Sequence, residues 1–192
     1  MQDKKVLREQ LNNIKTQIEE IYDTCLMLDA NDELKMDSLY AEYYKIRDYL
    51  IMMDCSLIIG NDIVDLYKES NTNIEGKYII CLRDTKTIVG NVDYRPGNFF
   101  IGNIGYEIKE QFRGNNYAYH ATYLLLQILC LNGINQANIS AKINNIASIK
   151  TLNKLKECGL DCNIIEDKNE NIIRYHYQFN KEMFINNQVN QK

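Results

Sequence analysis

The chain has 192 residues and a formal net charge of −4, with 45% hydrophobic and 25% charged residues. This balance is typical of a globular protein with one substantial core, and the negative charge disfavours non-specific binding to nucleic acid. The N-terminal residues MQDKKVLREQ lack the apolar core of a signal peptide, and every apolar run is too short to span a membrane. We therefore expect a cytoplasmic protein without a nucleic-acid or membrane partner.

The cysteines indicate buried free thiols in a reducing compartment rather than disulfides or a metal site. None of the six forms a CxxC pair, and Cys81 and Cys130 lie in the apolar runs IICL and ILCL. The two histidines, His120 and His176, are far apart in sequence, so the usual zinc-ligand spacings are absent. We therefore predict no metal site.

Residues 1–54 carry two helical patterns in which apolar residues recur at spacings of three and four. The polar stretch DANDELKMDS separates them and offers Asp37 and Ser38 as caps for the second helix. Such helices either cover a core in the ordinary amphipathic way or dock on a partner, and a homodimer through them stays open. The apolar positions are Leu7, Leu11, Ile14, Ile18, Ile21, Cys25 and Leu28 in the first run and Leu39, Tyr43, Ile46, Leu50 and Met53 in the second.

Residues 55–180 have mostly strand-like patterns and form the predicted main domain. CSLIIG is a short strand candidate, whereas NDIVDLYKES predicts a short helix capped by Asn61 or Asp62. The runs KYIICLR, TIVGNVDY and FFIGNIGYEI predict three strands. The turn-forming residues DTK and RPGN between them favour an antiparallel meander.

Two helices and three strands complete the main domain. A helix over residues 116–131 is apolar on nearly all sides and should be buried. The strand ANISAKI, a helix IASIKTLNKLKE capped by Asn144 or Asn145, and a hairpin of LDCNIIE with IIRYHYQF follow. Residues 181–192 are left as a polar tail. This order predicts an α+β fold with mixed strand directions around the central helix.

The stretch that begins just before the central helix is unusual in its charge. Acidic residues number 26 in the whole chain, yet none lies between Gln111 and Lys156. An acid-free and positively charged segment inside an acidic protein indicates a bound anion. Its positive side chains are Arg113, Lys142, Lys150, Lys154 and Lys156.

The loop RGNNYA, at the start of that helix, has the composition of a phosphate-binding turn. A helix N-terminus presents free N–H groups and about half a unit of positive charge. Gly114 has no Cβ, and Asn115 and Asn116 tolerate left-handed backbone angles, so an anion can approach the backbone closely. The alternative is a basic turn that only starts a helix, and this short motif alone does not decide between them.

Two longer motifs occur in a specific order, GNIGYEIKEQFRGNNYA before the central helix and NNIASIKTLNKLKECGL after it. Together they resemble the GNAT superfamily of acetyl-CoA-dependent N-acetyltransferases, in particular the branch that includes ribosomal-protein N-terminal acetyltransferases. The resemblance covers residues 77–179, extends loosely to 55–76 and does not include 1–54. It implies a three-layer α/β/α fold with a mixed, mostly antiparallel twisted sheet around the central helix, extended by the N-terminal helical segment.

The resemblance implies that acetyl-CoA, the acetyl donor, binds at the loop. The superfamily's pyrophosphate loop starts with Gln or Arg and ends with Gly or Ala, so Arg113 and Ala118 fit, while Asn116 replaces the usual middle Gly. Asn145 matches the Asn that holds the pantetheine arm. Ser148 either contacts the cofactor or makes local hydrogen bonds at the helix start. The implied cofactor-binding residues are Ile108, Arg113, Gly114, Asn115, Asn116, Tyr117, Ala118, Asn145 and Ser148.

The resemblance places the reacting thioester beside the strand segment GYEIKE, where the amide of Ile108 is the implied donor to the developing oxyanion. Many relatives carry Glu at the position of Asn103, and an Asn side chain cannot take a proton. Glu107 has the same strand parity as Asn103 and is the predicted general base, although an exposed strand carboxylate is the alternative. Tyr106 should point the other way, into packing.

The general acid is less defined by the resemblance. Some relatives use a Tyr at the position that Leu152 occupies here. Tyr175 on the last hairpin is the predicted replacement, and its neighbours His176 and Tyr177 could also reach the site. Protonation of the leaving thiolate by water is the alternative.

The leading hypothesis is an N-acetyltransferase in which a primary amine attacks the thioester of acetyl-CoA directly. The acceptor is either a protein N-terminus or a small-molecule amine. The alternative is a catalytically weakened CoA-binding or interaction module that oligomerises through its N-terminal helices, and the departures at Asn103, Asn116 and Leu152 keep this alternative open.

Overall fold

The computed structural model describes residues 3–24, 29–69, 73–97 and 102–189. The chain divides into two compact units, Met1–Ser56 and Leu57–Lys192. Cys25 and Leu28 of the first helical pattern, and the predicted strand start at Phe99, lie outside the described residues.

The first unit contains the two predicted helices, α1 (Lys4–Thr24) and α2 (Ala30–Met53). An ion pair between Lys4 and Asp54 places the start of α1 beside the end of α2, which is the arrangement of a helical hairpin. The apolar stripes of the two helices face each other in a small core formed by Ile14, Ile18, Ile21 and Met36.

Helix α2 begins earlier than the sequence predicts, so the caps expected at Asp37 and Ser38 are wrong. Asp29 is the observed cap, and its Oδ1 accepts hydrogen bonds from the backbone N–H groups of Asn31 and Asp32 at 2.8 and 2.9 Å. The following acidic side chains of the first turn complement the positive end of the helix. Met36 then extends the buried stripe by one turn, which the polar neighbours of this residue concealed in the sequence.

In the second unit, the first five described strands form one sheet in chain order. Strands β2 to β5 are paired antiparallel, as the predicted meander requires. The strands are β1 (Cys55–Gly60), β2 (Val64–Glu69), β3 (Gly76–Leu82), β4 (Ile88–Tyr94) and β5 (Ile104–Ile108).

The segment NDIVDLYKES forms β2, so the helix predicted there is wrong. Val64 and Leu66 are fully buried on the core face of the sheet, while Asp65 between them pairs with Lys86 at 2.6 Å. Asn61 starts the strand rather than a helix, because its Oδ1 accepts from the N–H groups of Ile63 and Val64 in an Asx turn. Pairing with β3 therefore outweighs a helical pattern that was too short to be decisive.

The remaining strands form a three-stranded antiparallel sheet in the order β6, β8, β7. The predicted strands and helices of this half are present, and the predicted α+β architecture is confirmed. The elements are α3 (Tyr117–Leu131), β6 (Gln136–Lys142), α4 (Ile146–Glu157), β7 (Asp161–Asp167), β8 (Ile172–Gln178) and α5 (Lys181–Val189).

Helix α3 is the centre of the second unit's core. Leu125, Leu126 and Leu129 are among its most deeply buried side chains, and the helix packs against β2, β4, β5 and α4. Burial on nearly all sides explains why the sequence of α3 shows apolar residues on every face. Within the described residues, neither α3 nor any other helix is long and apolar enough to cross a membrane.

The predicted polar tail contains the helix α5. Phe184 of this helix is buried, and its ring contacts the rings of Tyr123 and Phe179 edge-on at 5.3 and 5.8 Å. The helix was not predicted because one buried aromatic residue among polar residues does not produce the repeating apolar pattern of an amphipathic helix.

The two sheets meet where β5 begins. The N–H of Asn103 donates to the carbonyl of Asn138 at 2.7 Å, and the Oδ1 of Asn103 accepts from the N–H of Asn138 at 2.8 Å. Gly102 approaches β6 so closely that an added Cβ would lie 3.1 Å from the backbone nitrogen of Ser140. The described parts of β5 and β6 belong to different sheets, so the strands separate beyond this junction.

We predict that Asn103→Ala lowers the free energy of unfolding by about 1–3 kcal/mol, because the N–H of Asn138 loses its acceptor in a buried junction. Urea denaturation measures the change. Asn163→Ala is the matched control, since Asn163 is exposed on β7, and it should change stability by less than about 0.5 kcal/mol. Equal stability of the two variants would contradict a joining role for the Asn103 amide.

Candidate active site

A cleft of about 840 Å³ lies beside the end of β5. The end of β5 and the loop before α3 form one wall, and the first turns of α4 form the other. Every cofactor-binding residue that the resemblance implied lies along this cleft. The lining residues are 106–108, 112–118, 145, 147, 148, 150, 151, 154 and 157.

The loop before α3 has the left-handed backbone that its sequence predicts. Gly114 has φ +84 and Asn116 has φ 60, and both residues are exposed. Asn116, which replaces the family's middle glycine, therefore occupies a conformation that Asn tolerates better than most residues. The departure from the family motif keeps the loop's backbone shape.

Helix α3 begins without a side-chain cap. Its N-cap residue, Asn116, makes no capping hydrogen bond, and the first turn contains no acidic residue. The first N–H groups of a helix have no intrahelical partner, so those of Tyr117 and Ala118 are left for a ligand or solvent at the cleft wall. The positive end of the helix dipole adds to their attraction for an anion.

Two side chains near the start of the loop donate hydrogen bonds to backbone carbonyls of the loop and of β5. The Nδ2 of Asn115 donates to the carbonyls of Phe112 and Arg113, at 3.2 Å each. The Nε of Arg113 donates to the carbonyl of Ile108 at 3.2 Å, which ties the loop to the end of β5. The exposed guanidinium of Arg113 therefore stays beside the cleft, where it can pair with an anion.

The opposite wall begins at the cap of α4. The Oδ1 of Asn145 accepts from the N–H of Ser148 at 3.1 Å, so Asn145 is the observed cap and Asn144 is not. This bond is the local helix-start interaction that was one of the two alternatives for Ser148. It occupies the oxygen of the Asn145 amide and leaves the NH₂ group as the donor for a ligand.

Three charged side chains of α4 line the cleft, two of them positive and one, Glu157, negative. Lys150 and Lys154 line it, and the Nζ of Lys154 lies 4.6 Å from the ring centroid of Tyr119. Burial and the nearby Lys154 lower the pKa of His120, which therefore carries no charge near neutral pH. Within the described ranges, no three His, Cys, Asp or Glu side chains come together to hold a metal.

The two catalytic candidates from the sequence are in different places. Glu107 is exposed at the cleft, next to the Ile108 amide that the resemblance implies for the oxyanion. Tyr175 lies outside the cleft lining, is only 2% exposed, and donates from its hydroxyl to the Oδ1 of Asn153 at 3.0 Å. The structure therefore brings Glu107 to the site and does not bring Tyr175 there.

Tyr106 differs from its expected role. It alternates away from Glu107 and packs against the core as predicted, but it also lines the cleft. Its hydroxyl lies 3.5 Å from the carbonyl of Ser148, on the opposite wall. Asn103 is 3% exposed, lies outside the cleft lining, and accepts a hydrogen bond from the N–H of Asn138.

Tyr106 and Thr151 line the cleft but were not predicted from the sequence to do so. One signal was available for Thr151, because residues 148, 151 and 154 recur at the spacing of one helix face that begins at the Asn145 cap. Tyr106 gave no comparable signal, since strand alternation alone does not say which face of β5 a ligand contacts.

Comparison with protein families identifies the class of the chain. A family model described as an acetyltransferase (GNAT) domain matches residues 30–156, which is more than half of the chain. The chain therefore belongs to the GNAT acetyltransferases, which use acetyl-CoA as the acetyl donor, and the resemblance drawn from its motifs is confirmed. The match begins at the first residue of α2, a helix that the resemblance had not covered.

Solved structures similar to this chain include other acetyltransferases. A domain from Methanocaldococcus jannaschii DSM 2661 is 27% identical, with 57% of this chain and 70% of that chain covered and a TM-score of 0.46. An acetyltransferase from Agrobacterium tumefaciens str. C58 is 18% identical, with coverage of 54% and 61% and a TM-score of 0.44. The ribosomal L7/L12 alpha-N-protein acetyltransferase RimL, in complex with coenzyme A, is 14% identical, with coverage of 93% and 91% and a TM-score of 0.41. The comparison with curated proteins finds no match.

We predict that Asn116→Ala lowers the free energy of unfolding by about 1 kcal/mol, because alanine is strained at φ 60. Asn116→Gly should be close to neutral, since glycine adopts this angle without strain. Urea denaturation of both variants measures the difference. Asn135→Ala is the control, because Asn135 is exposed and its backbone is not left-handed. If Asn135→Ala lowered the free energy of unfolding as much as Asn116→Ala, strain at φ 60 would not be the cause.

Proposed function

We propose that the protein is an N-acetyltransferase that transfers the acetyl group of acetyl-CoA to a primary amine, by direct attack of the amine on the thioester. The acceptor is a protein N-terminus or a small-molecule amine, and the reaction takes place in the cytoplasm. Family membership supports acetyl transfer, and the cleft supports the position of the donor.

The observation that carries this proposal is the uncapped start of α3 at the cleft wall. An apolar helix of this kind would be better stabilised by an acidic cap, yet the loop offers a left-handed turn, free N–H groups and Arg113. A bound pyrophosphate would satisfy these groups. The absence of any acidic residue from Gln111 to Lys156 removes competing negative charge from the loop and from α4 up to Lys156.

The other implied cofactor-binding residues line the same cleft. With the pyrophosphate at residues 114–118, the NH₂ group of Asn145 would be a donor to the pantetheine arm. The Ile108 amide would stabilise the oxyanion of the thioester carbonyl as the amine attacks. Ser148 contributes through the Asn145 cap, because its N–H holds that side chain in place.

Glu107 is the proposed general base. A free alkylamine has a pKa of about 10, so the acceptor must lose a proton before it can attack. Glu107 is exposed and adjacent in sequence to the residue whose amide stabilises the oxyanion, so it can take this proton directly or through one water. Arg113 and Lys150 line the same cleft.

A second candidate is a CoA-binding module that oligomerises through α1 and α2. The exposed apolar side chains Leu34, Tyr44 and Tyr49 of α2 support a homodimer contact in this unit. A homodimer is compatible with both candidates. The second candidate would be favoured if the protein has the mass of a dimer in solution and binds the cofactor but acetylates no primary amine.

We predict that Arg113→Glu weakens acetyl-CoA binding by at least about tenfold, because one charge-assisted contact is lost and a repulsive charge replaces it. Isothermal titration calorimetry of the full-length protein measures the change. Lys168→Glu is the control with the same change of charge, at an exposed turn outside the cleft, and it should bind like wild type. Equal affinities for all three proteins would contradict a phosphate role for the loop.

We predict that Glu107→Gln lowers kcat by about 10²-fold or more, while the Kd for acetyl-CoA stays unchanged, because a base is lost and the donor site is intact. Mass spectrometry of a panel of primary amines and N-terminal peptides first identifies an acceptor for wild type. Glu110→Gln is the control, since Glu110 is exposed three residues later and outside the cleft lining. A wild-type rate in Glu107→Gln would show that the base lies elsewhere.

A further inference from the structure

The phenol of Tyr106 crosses the gap between the two walls of the cleft. Its ring rises from β5 on the same face as Ile108, and its hydroxyl reaches the first turn of α4 at Ser148. At 3.5 Å the bond to the Ser148 carbonyl is at the limit of hydrogen-bond length, so the hydroxyl can exchange it for a better acceptor at little cost. Both walls contain residues that the resemblance implies for cofactor binding, Ile108 on one and Asn145 on the other.

Four described residues that carry hydroxyls line the cleft, and of these Tyr106 is the one on β5, two residues before Ile108; the others are Tyr117, Ser148 and Thr151. The family's acid position holds Leu152, whose side chain is fully buried. Tyr175 and Tyr177 are buried too, and their hydroxyls donate to Asn153 and to the carbonyl of Leu152. Two phenols line the cleft: Tyr117 lies at the start of α3, where the phosphates are proposed to bind, and Tyr106 lies on β5 near Ile108, where the thioester is proposed to lie.

We infer that Tyr106 is a further catalytic residue, whose O–H donates a hydrogen bond to the sulfur of coenzyme A as the thioester C–S bond breaks; this inference rests on the proposed function. The amine nitrogen forms a bond to the carbonyl carbon and gives up a proton to Glu107 or water. The electron pair of the broken C–S bond stays on sulfur as a thiolate. Solvent then supplies the proton that converts the thiolate into free coenzyme A.

The acidity of the two groups explains why Tyr106 donates a hydrogen bond and keeps its proton. Burial raises the pKa of Tyr106 above its usual value, and hydrogen bonds with Ser148 and Thr151 partly offset this effect. An alkyl thiol ionises near pH 8.5, so complete transfer from the phenol to the thiolate is unfavourable. A neutral phenol nevertheless stabilises a thiolate much more than it stabilises the uncharged thioester, and this difference lowers the barrier.

The groups around Tyr106 leave its hydroxyl protonated over the working pH range. Ser148 and Thr151 face it from α4, and the phenols of Tyr175 and Tyr177 lie near it from β8. Burial raises the pKa of both β8 tyrosines as well, so they stay uncharged. Glu107 is next to Tyr106 in the chain but alternates to the opposite face of β5.

The test measures the pKa of the coenzyme A thiol while it is bound, which requires no knowledge of the acceptor. Thiolate absorbance is followed against pH as the difference between the complexes with coenzyme A and with desulpho-coenzyme A. We expect Tyr106→Phe to raise the bound thiol pKa by about one unit or more relative to wild type, because the thiolate loses a hydrogen bond. Tyr175→Phe removes a neighbouring phenol and should leave the thiol pKa unchanged.

A Tyr106→Phe protein that binds coenzyme A with an unshifted thiol pKa would overturn the inference and leave the proposed function intact. A shift in Tyr175→Phe but not in Tyr106→Phe would also overturn it. Failure of wild type to bind coenzyme A would overturn the proposed function first. If Tyr106→Phe folds poorly, 3-fluorotyrosine at position 106 is the second variant, and its more acidic phenol should lower the bound thiol pKa below that of wild type.

Discussion

The junction of β5 with β6 is the constraint from which the site follows. Asn103 and Asn138 join the two sheets by a pair of hydrogen bonds, and Gly102 allows the backbones to approach. The two strands belong to separate sheets, and the cleft lies at the end of β5, between this strand with the loop before α3 and helix α4. The side chain of Asn103 therefore joins the two sheets, at a position where the resemblance implied a glutamate. In this chain Glu107, four residues after Asn103, is the acidic side chain that β5 contributes to the cleft.

Helix α3 holds in place the loop that forms part of one wall of the cleft. Its burial on nearly all sides leaves it little freedom to shift, so its N-terminus is held at the cleft. The loop before it is left-handed at Gly114 and Asn116, which exposes backbone N–H groups without a cap. A rigid core helix with an unsatisfied positive end is well suited to hold an anion, since little has to be reorganised when the anion binds. In the proposed function, the helix that would bind a cofactor phosphate is also the centre of the core.

How far the sequence predicted this protein depended on the length and consistency of each pattern. Helix α3 was predicted within one residue, because an apolar helix flanked by a polar left-handed loop leaves few alternatives. The segment that became β2 was predicted as a helix, because ten residues with an Asn at their start fit an N-cap as well as an Asx turn. Only the pairing with β3 makes this segment a strand rather than a helix. That pairing is a contact between residues far apart in sequence, so a local sequence pattern does not predict it.

The site was predicted unevenly for a similar reason. The loop and the Asn145 cap were identified because family motifs and local backbone chemistry agree there. Tyr175 was chosen as an acid from its place on the last hairpin, but its face of β8 is turned into the core. Tyr106 was expected to serve packing alone, and its contact across the gap depends on how far α4 lies from β5. Tertiary packing sets such distances between elements, so a single sequence motif cannot predict them.

The central claim is that the start of α3 binds the phosphates of acetyl-CoA, and amide chemical shifts test it most directly. Titration of acetyl-CoA into ¹⁵N-labelled full-length protein reports on each backbone N–H separately. The account predicts the largest shifts at residues 114–118, with smaller shifts at Asn145 and Ile108 and little change in α1 or β7. Saturating shifts that cluster elsewhere, with the amides of 114–118 unmoved, would contradict it and would make the loop a structural turn.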